Sequence, residues 1–224
     1  MRHPVRGVDA MFKLTTTTRT LVIGASLFVA AGTISAQMSV NAFFGVGTAF
    51  DSSNGQYINT FANGTSYSTP EITGLFGDTG ASVMFNEHWG VGGQYAWRFA
   101  QGDYAGLSYR PELYDFNAIW QPAGRKFGRF VPEVQLGIGG ADVRYYANSS
   151  SCSPFLGCSS SSQFLASSNH FQAHGSIAAR FYVTNHVFLR PAIDLHWVDK
   201  FSQFGSNWLP QYTLGVGYTF GGER

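Results

Sequence analysis

Charge is the first thing this sequence has little of. Of its 224 residues, 12% are Asp, Glu, Lys or Arg, against about 25% in an ordinary soluble domain. Lysine is almost missing: Lys13, Lys126 and Lys200 are the only three. A soluble exterior needs charge, and this composition cannot cover one. The net charge of +1 gives no basis for a nucleic-acid partner, which needs a basic face. Cysteine is limited to Cys152 and Cys158, with no His beside them, too few ligands for zinc. No convincing amphipathic helical pattern lies between the strand-like segments described below. What is abundant is glycine, at 27 residues, and aromatic side chains, at 16%. So many aromatics with so little net charge exclude a disordered chain. At roughly 150 residues per domain, the length allows one large domain or two small ones.

The first segment reads as an address. Residues 21–32, LVIGASLFVAAG, follow Lys13 and Arg19 and lead to Ile34-Ser35-Ala36. A basic start, a short apolar run and a small-residue cleavage site predict a secretory signal peptide over 1–36, with Met11 as a possible true start. Twelve residues are too few to span a bilayer, which takes about 20. Cleavage would remove four of 14 basic and one of 13 acidic residues, leaving 10 basic against 12 acidic over 37–224. An oxidising compartment would let Cys152 and Cys158 form a disulfide inside their Ser-rich segment.

Beyond residue 37 the chain alternates. In QYTLGVGYTF, Tyr212, Leu214, Val216, Tyr218 and Phe220 share one face, the period-two pattern of a strand. The same texture recurs at 39–50, 74–85, 89–100, 109–120, 129–141, 170–183 and 187–198. The connections alternate in length. Residues 51–70 and 147–169 read as long loops, Asn86–His88, 121–126 and Thr184–His186 as short turns, and 101–106 and 201–207 as links of medium length. This predicts an all-β fold, an eight-stranded antiparallel up-and-down transmembrane β-barrel with both termini at the short-turn end. A parity break near Pro111–Leu113 predicts a bulge in the fourth strand.

A soluble barrel with its apolar face inward is the competing arrangement. Four to six bulky apolar groups on each strand make about 40 in all, more than an eight-stranded interior can hold. The apolar face therefore points outward, to lipid, and closure leaves no strand edge exposed to hydrocarbon. Aromatics gather at strand ends, as girdles at two interfaces would. Trp89, Trp120, Phe130, Phe181 and Phe220 lie at the short-turn end, and Phe50, Trp97, Phe99 and Trp197 at the other.

The segments YDFNAIWQP, RFYVTNHVFLRP and LGVGYTF carry a resemblance. Over residues 37–220 the chain resembles the small outer-membrane β-barrels of Gram-negative bacteria, the OmpA transmembrane-domain and OmpX-like group. The last strand is similar to that group's aromatic-ended assembly signal, but four residues, Gly221–Arg224, follow it. The resemblance implies an outer-membrane location, contact with lipopolysaccharide and phospholipid, and insertion by the barrel-assembly machinery. It implies no cofactor.

The opposite parity lines the lumen with Asn41, Asp78, Gln94, Arg98, Glu133, Gln135, His170, Gln172, His174, Arg180, Arg190, Asp194 and His196, joined by Asp115 and Asn117. A hairpin centred on Asn185 sets Arg180 opposite Arg190, a repulsive pair unless compensated. Glu133 and Asp194 are the expected partners, forming one buried network. His174-Gly175-Ser176 has the His-x-Ser spacing of the outer-membrane lipid A deacylases, but the match is two residues and both point inward. The three lumen histidines are read as satisfied polar groups, with no metal. The expectation is a monomeric, non-enzymatic barrel with a structural or surface-interaction role, through 51–70 and 147–169 and an unknown extracellular ligand. A narrow conduit and a lipid A hydrolase are the alternatives.

Overall fold

The computed structural model describes residues 38–51, 55–59, 62–124, 127–153, 157–201, 204 and 206–221, with backbone alone at 150–153, 157 and 158. The expected signal segment lies outside the described residues. The strands are β1 (Ser39–Ala49), β2 (Tyr57–Ile58), β3 (Tyr67–Ser68), β4 (Gly74–Met84), β5 (Trp89–Arg98), β6 (Gly102–Tyr104), β7 (Leu107–Trp120), β8 (Phe130–Ser153), β9 (Gly157–Tyr182), β10 (Val187–Val198) and β11 (Trp208–Phe220).

Eight of these are long, and they form one closed antiparallel barrel. β1 pairs with β11 on one side, Val40 opposite Phe220, and with β4 on the other, Val40 opposite Val83. β5 pairs with both β4 and β7, so the ladder returns on itself. β2 and β3 form a small hairpin within 51–70, and β6 folds back onto β7.

Parity sorts the side chains. On β11, Tyr212, Leu214, Val216, Tyr218 and Phe220 face out, while Gln211, Thr213 and Thr219 are buried. On the barrel strands the most exposed large apolar groups are Phe116 at 71%, Ile177 at 69% and Leu136 at 67%. Such exposure makes sense only against an apolar solvent. At the short-turn end Trp89 stacks on Trp120 with ring centres 6.1 Å apart, and Phe130 packs on Phe181 at 5.0 Å. Phe220 meets Tyr218 beside them. At the other end Trp97 contacts Tyr95 and Phe99, Phe50 contacts Tyr212, and Trp197 lies opposite Trp208.

Residues 147–169 are the main departure from expectation. They belong to a long ribbon in which β8 and β9 pair out to Ser153 opposite Gly157. β7 leaves β8 at Tyr146, and β10 leaves β9 at Gln172. Period-two hydrophobicity marks a strand only when one face is apolar. A ribbon whose described residues, Asn148, Ser149 and 159–167, are exposed on both faces carries no such mark. Tyr146 and Phe164 pack edge to face across its base, and the Ser149 and Ser161 hydroxyls bond at 2.7 Å.

The expected bulge at Pro111–Leu113 is also corrected. The β7–β8 ladder runs unbroken through these residues, and a register shift falls instead at Tyr145/Tyr146. The parity break has another cause. Tyr109, Leu113 and Val143 are buried inward, because the lumen itself turns apolar at the long-loop end. Phe201 and Phe204, stacked at 4.5 Å, fold in from the last loop and complete this plug with Ile72 and Phe76. Arg98 belongs to the plug and not to the acidic lumen. It lies over the Tyr109 ring at 4.6 Å and donates to the carbonyls of Ala100, Glu71, Thr73 and Tyr109. Val131, Tyr182 and Phe188 form a smaller apolar layer at the short-turn end, with Phe43 against it.

Loop 51–70 is pinned to this plug. The Asp51 N–H donates to the Ile72 carbonyl at 3.3 Å, and the Ile72 N–H to that of Asp51 at 2.9 Å. Burial pushes the Asp51 carboxyl up from 3.8 to about 7, partly offset by a backbone hydrogen bond from Ser206. An acid raised in the folded state favours folding while protonated. Its contribution is complete below pH 3.8 and is lost as pH rises toward 7. The protection factors of the Asp51 and Ile72 amides, corrected for the intrinsic rise of exchange with pH, should therefore fall between pH 4.5 and 7.5, and Asp51→Asn should flatten that fall.

Candidate functional site

The polar lumen between the two apolar layers is the candidate site. A barrel closed at both ends gives its polar groups little water, so they must satisfy one another. They do so in two tiers.

Glu133 on β8 is the hub of the first tier. Its carboxylate is fully buried and accepts from Arg180 Nη2, from Arg190 Nε at 3.2 Å, from Gln135 Nε2 at 2.7 Å and from Gln121 Nε2 at 3.2 Å. Arg190 lies over the Phe43 ring at 4.5 Å and Arg180 over Phe188 at 5.3 Å. Facing rings therefore take up positive charge that one carboxylate leaves over. The β9–β10 register passes from Leu189 opposite Phe181 directly to Ala192 opposite Ala178. Two pairs are skipped, Arg190 with Arg180 and Pro191 with Ala179, and Pro191 has no N–H to give.

His174 on β9 is the hub of the second tier. Its Nδ1 lies 2.8 Å from Asn117 Oδ1 and 3.4 Å from Asp115 Oδ1 on β7, across the lumen. Its Nε2 lies 3.3 Å from Asp194 Oδ1 on β10. Asn117 donates to Asp115, Thr213 donates to Asp194 at 3.3 Å, and Gln94 donates to Asp78 at 3.2 Å. His196 stacks on His174 at 4.8 Å and meets Gln211 Oε1 through Nε2 at 3.2 Å. Gly137 makes the tier possible. A Cβ there would sit 1.9 Å from Asn117 Oδ1 and 2.4 Å from the Phe116 carbonyl.

Both arginines thus meet Glu133, but Asp194 departs from the expected arrangement. Its bonds go to His174 and Thr213 in the other tier. Four residues of strand separate it from Arg190, roughly 13 Å along the backbone. One guanidinium serves the nearer carboxylate. Asp115 joins His174, which an open register on the fourth strand left undecided. His170 stands apart, half-buried, bonded to Ser168 and the Asp199 carbonyl. Ser176 is buried beside His174 with its hydroxyl unbonded, inside the barrel and away from the outward face. Gln121 and Phe43 escaped the sequence reading. The first lies past its strand, and the second carries an apolar side chain at lumen parity. An outward cluster also escaped it, Arg144 paired with Glu112 at 3.0 Å and Asp142 at 3.2 Å.

The backbone path can be set beside solved structures. The outer-membrane protein OprG of Pseudomonas aeruginosa superposes with a TM-score of 0.52 at 14% identity, over 81% of this chain and 96% of that one. Neisserial surface protein A gives 0.51 at 14%, over 83% and 98%. The fold is that of the small outer-membrane β-barrels. Ail, the attachment invasion locus protein of Yersinia pestis, solved with the heparin analogue sucrose octasulfate, gives 0.50 at 13%, over 82% and 99%. No protein-family model and no curated protein matches the sequence. Among the described residues of this barrel, apolar clusters flank the polar lumen at both ends.

Glu133→Gln keeps the shape of the hub and strips the charge that two buried arginines face. It should cost about 3–5 kcal/mol in urea unfolding from detergent micelles, with partial recovery in the Glu133→Gln, Arg180→Met double variant. Gly137→Ala should cost about 1–3 kcal/mol by the same assay, because both Asn117 and the β7 backbone at Phe116 must give way.

Proposed function

We propose that this chain is an integral outer-membrane protein of a Gram-negative bacterium with a structural or surface-interaction role. In this reading residues 1–36 direct secretion, the barrel-assembly machinery inserts the rest as a monomer, and lipopolysaccharide and phospholipid meet the apolar belt. The working surface is the long-loop end, residues 51–70 and the β8–β9 ribbon, where an extracellular ligand would bind.

One observation carries this reading: the barrel is filled while its hairpin projects. Described apolar side chains flank the polar lumen at both ends. A cavity between them, lined by Phe43, Ser82, Gln94, Asn117, Gln135 and Arg180, has a volume of about 10 Å³, room for about one water molecule. Beyond Tyr146, by contrast, β8 continues to Ser153 without β7 beside it. Those seven residues reach roughly 23 Å past the barrel wall. Rigid scaffolds commonly carry function on such projections. The backbone ladder sets Cys152 opposite Cys158, a spacing that suits a disulfide across the ribbon. Their side chains lie outside the described residues. A buried Ser176 facing the lumen favours the non-enzymatic reading over a lipid A hydrolase.

An epitope inserted between Ser160 and Ser161 should bind antibody on intact cells. The same epitope at Asn185 should stay silent until the outer membrane is permeabilised. The purified barrel should give no discrete conductance steps in planar bilayers. Steps would move the function to a narrow conduit, and the reverse labelling pattern would overturn the orientation.

A further inference from the structure

We infer that Asp115, His174 and His196 form a site for one divalent transition-metal ion of the zinc class, enclosed in the barrel. The three residues come from β7, β9 and β10, and all are buried. Each can offer a ligand atom, and the three atoms lie within 4.8 Å of one another. Two imidazoles and a carboxylate are the donor set that zinc and its neighbours take.

The hydrogen bonds around the rings say where the lone pairs are. His196 Nε2 faces Gln211 Oε1, an acceptor, at 3.2 Å, so Nε2 carries the proton. That leaves Nδ1 as a bare lone pair, and Nδ1 is buried with no hydrogen-bond partner. His174 Nε2 faces the Asp194 carboxylate at 3.3 Å. Its Nδ1 faces two more oxygens, Asn117 Oδ1 at 2.8 Å and Asp115 Oδ1 at 3.4 Å. The Asn117 amide is oriented by its own donation to Asp115. A neutral imidazole has one N–H, so acceptors on both sides leave one lone pair pointing at oxygen. A cation there turns repulsion into ligation. Asp194 and Gln211 then do what outer partners of metal-bound histidines do, fixing the tautomer from the far nitrogen. A second proton on His174 would relieve that ring alone and leave His196 Nδ1 unserved. A metal ion serves both.

Ligands on one tetrahedral ion lie roughly 3.4 Å apart, so binding draws the two stacked rings inward by turning them about their Cβ–Cγ bonds. The apolar layers at both ends of the lumen set the time of entry. The ion is taken up as the barrel closes.

The test uses the untagged protein, unfolded in urea and refolded into detergent micelles with zinc chloride, then desalted and measured for metal. About one zinc per chain should remain. His196→Gln keeps a group toward Gln211 but removes Nδ1, and Asp115→Asn removes the charge; each should hold less than a tenth of that zinc. His186→Gln, at an exposed turn, should hold all of it. Refolding with cobalt(II) should give the visible bands of a four-coordinate site, absent in His196→Gln. Should the lumen variants fail to refold, the wild-type protein still decides. Zinc present during refolding should raise the temperature at which the folded gel band disappears, and zinc added afterwards should not. Wild-type protein that retains no zinc, or an equal loss in His186→Gln and His196→Gln, would overturn the site and leave a doubly protonated His174.

Discussion

A strand bonded on both sides has only two places to put its side chains. Because β1 is paired with β4 and with β11, and β5 with β7, none of the eight long strands is an edge strand of the barrel, and inside and outside are separated residue by residue. That is the condition for a sheet to sit in hydrocarbon, and everything else in this molecule answers to it. The outward set can be large and apolar without limit of packing. The inward set must fit a narrow cylinder and, where polar, must find partners there. An uncompensated buried charge costs several kcal/mol, so a single misplaced lumen charge outweighs several belt residues.

The lumen meets this demand in layers. An apolar floor of Val131, Tyr182 and Phe188 lies beneath the Glu133 tier, the imidazole tier follows, and the aromatic plug closes the top. The floor is also electrostatic, since Phe188 and Phe43 offer ring faces to the two guanidiniums. The plug likewise does more than fill space, because Arg98 gathers carbonyls from the loops around it. Polar and apolar layers thus brace one another along one axis, and the loops are tied to the barrel through them.

Much of this was legible in the sequence, and the limits have physical causes. The barrel, its eight strands and the lumen face of β1, β5, β9, β10 and β11 followed from period two alone. The opposition of the two arginines followed from one tight turn, and Glu133 as their partner from its height on the neighbouring strand. What escaped did so wherever apolar no longer meant outward. Leu113 and Tyr109 point into the plug, so they looked like a slipped register. Phe43 points in to meet Arg190. The Ser-rich ribbon has water on both faces and so no alternation to read. The meeting of Asp115 with His174 required the register of β7, which the same plug residues had blurred. The exchange of Asp194 from one tier to the other turned on side-chain reach, which spacing along a strand does not encode.

The seam between β1 and β11 has a consequence for how such a chain comes to exist. Val40 and Phe220 are neighbours in the barrel and sit at opposite ends of the polypeptide. Contacts of such sequence separation carry the largest loop-closure cost and form late. Until that seam forms, all eight strands can pair with their neighbours in sequence and still leave two raw edges, and Asn41 cannot receive the Thr219 hydroxyl bond that joins first strand to last. The chain is therefore committed to arriving whole before it can be sealed. A stalled or truncated copy would be an open, sticky sheet, which makes the final strand the gatekeeper of quality for all the others.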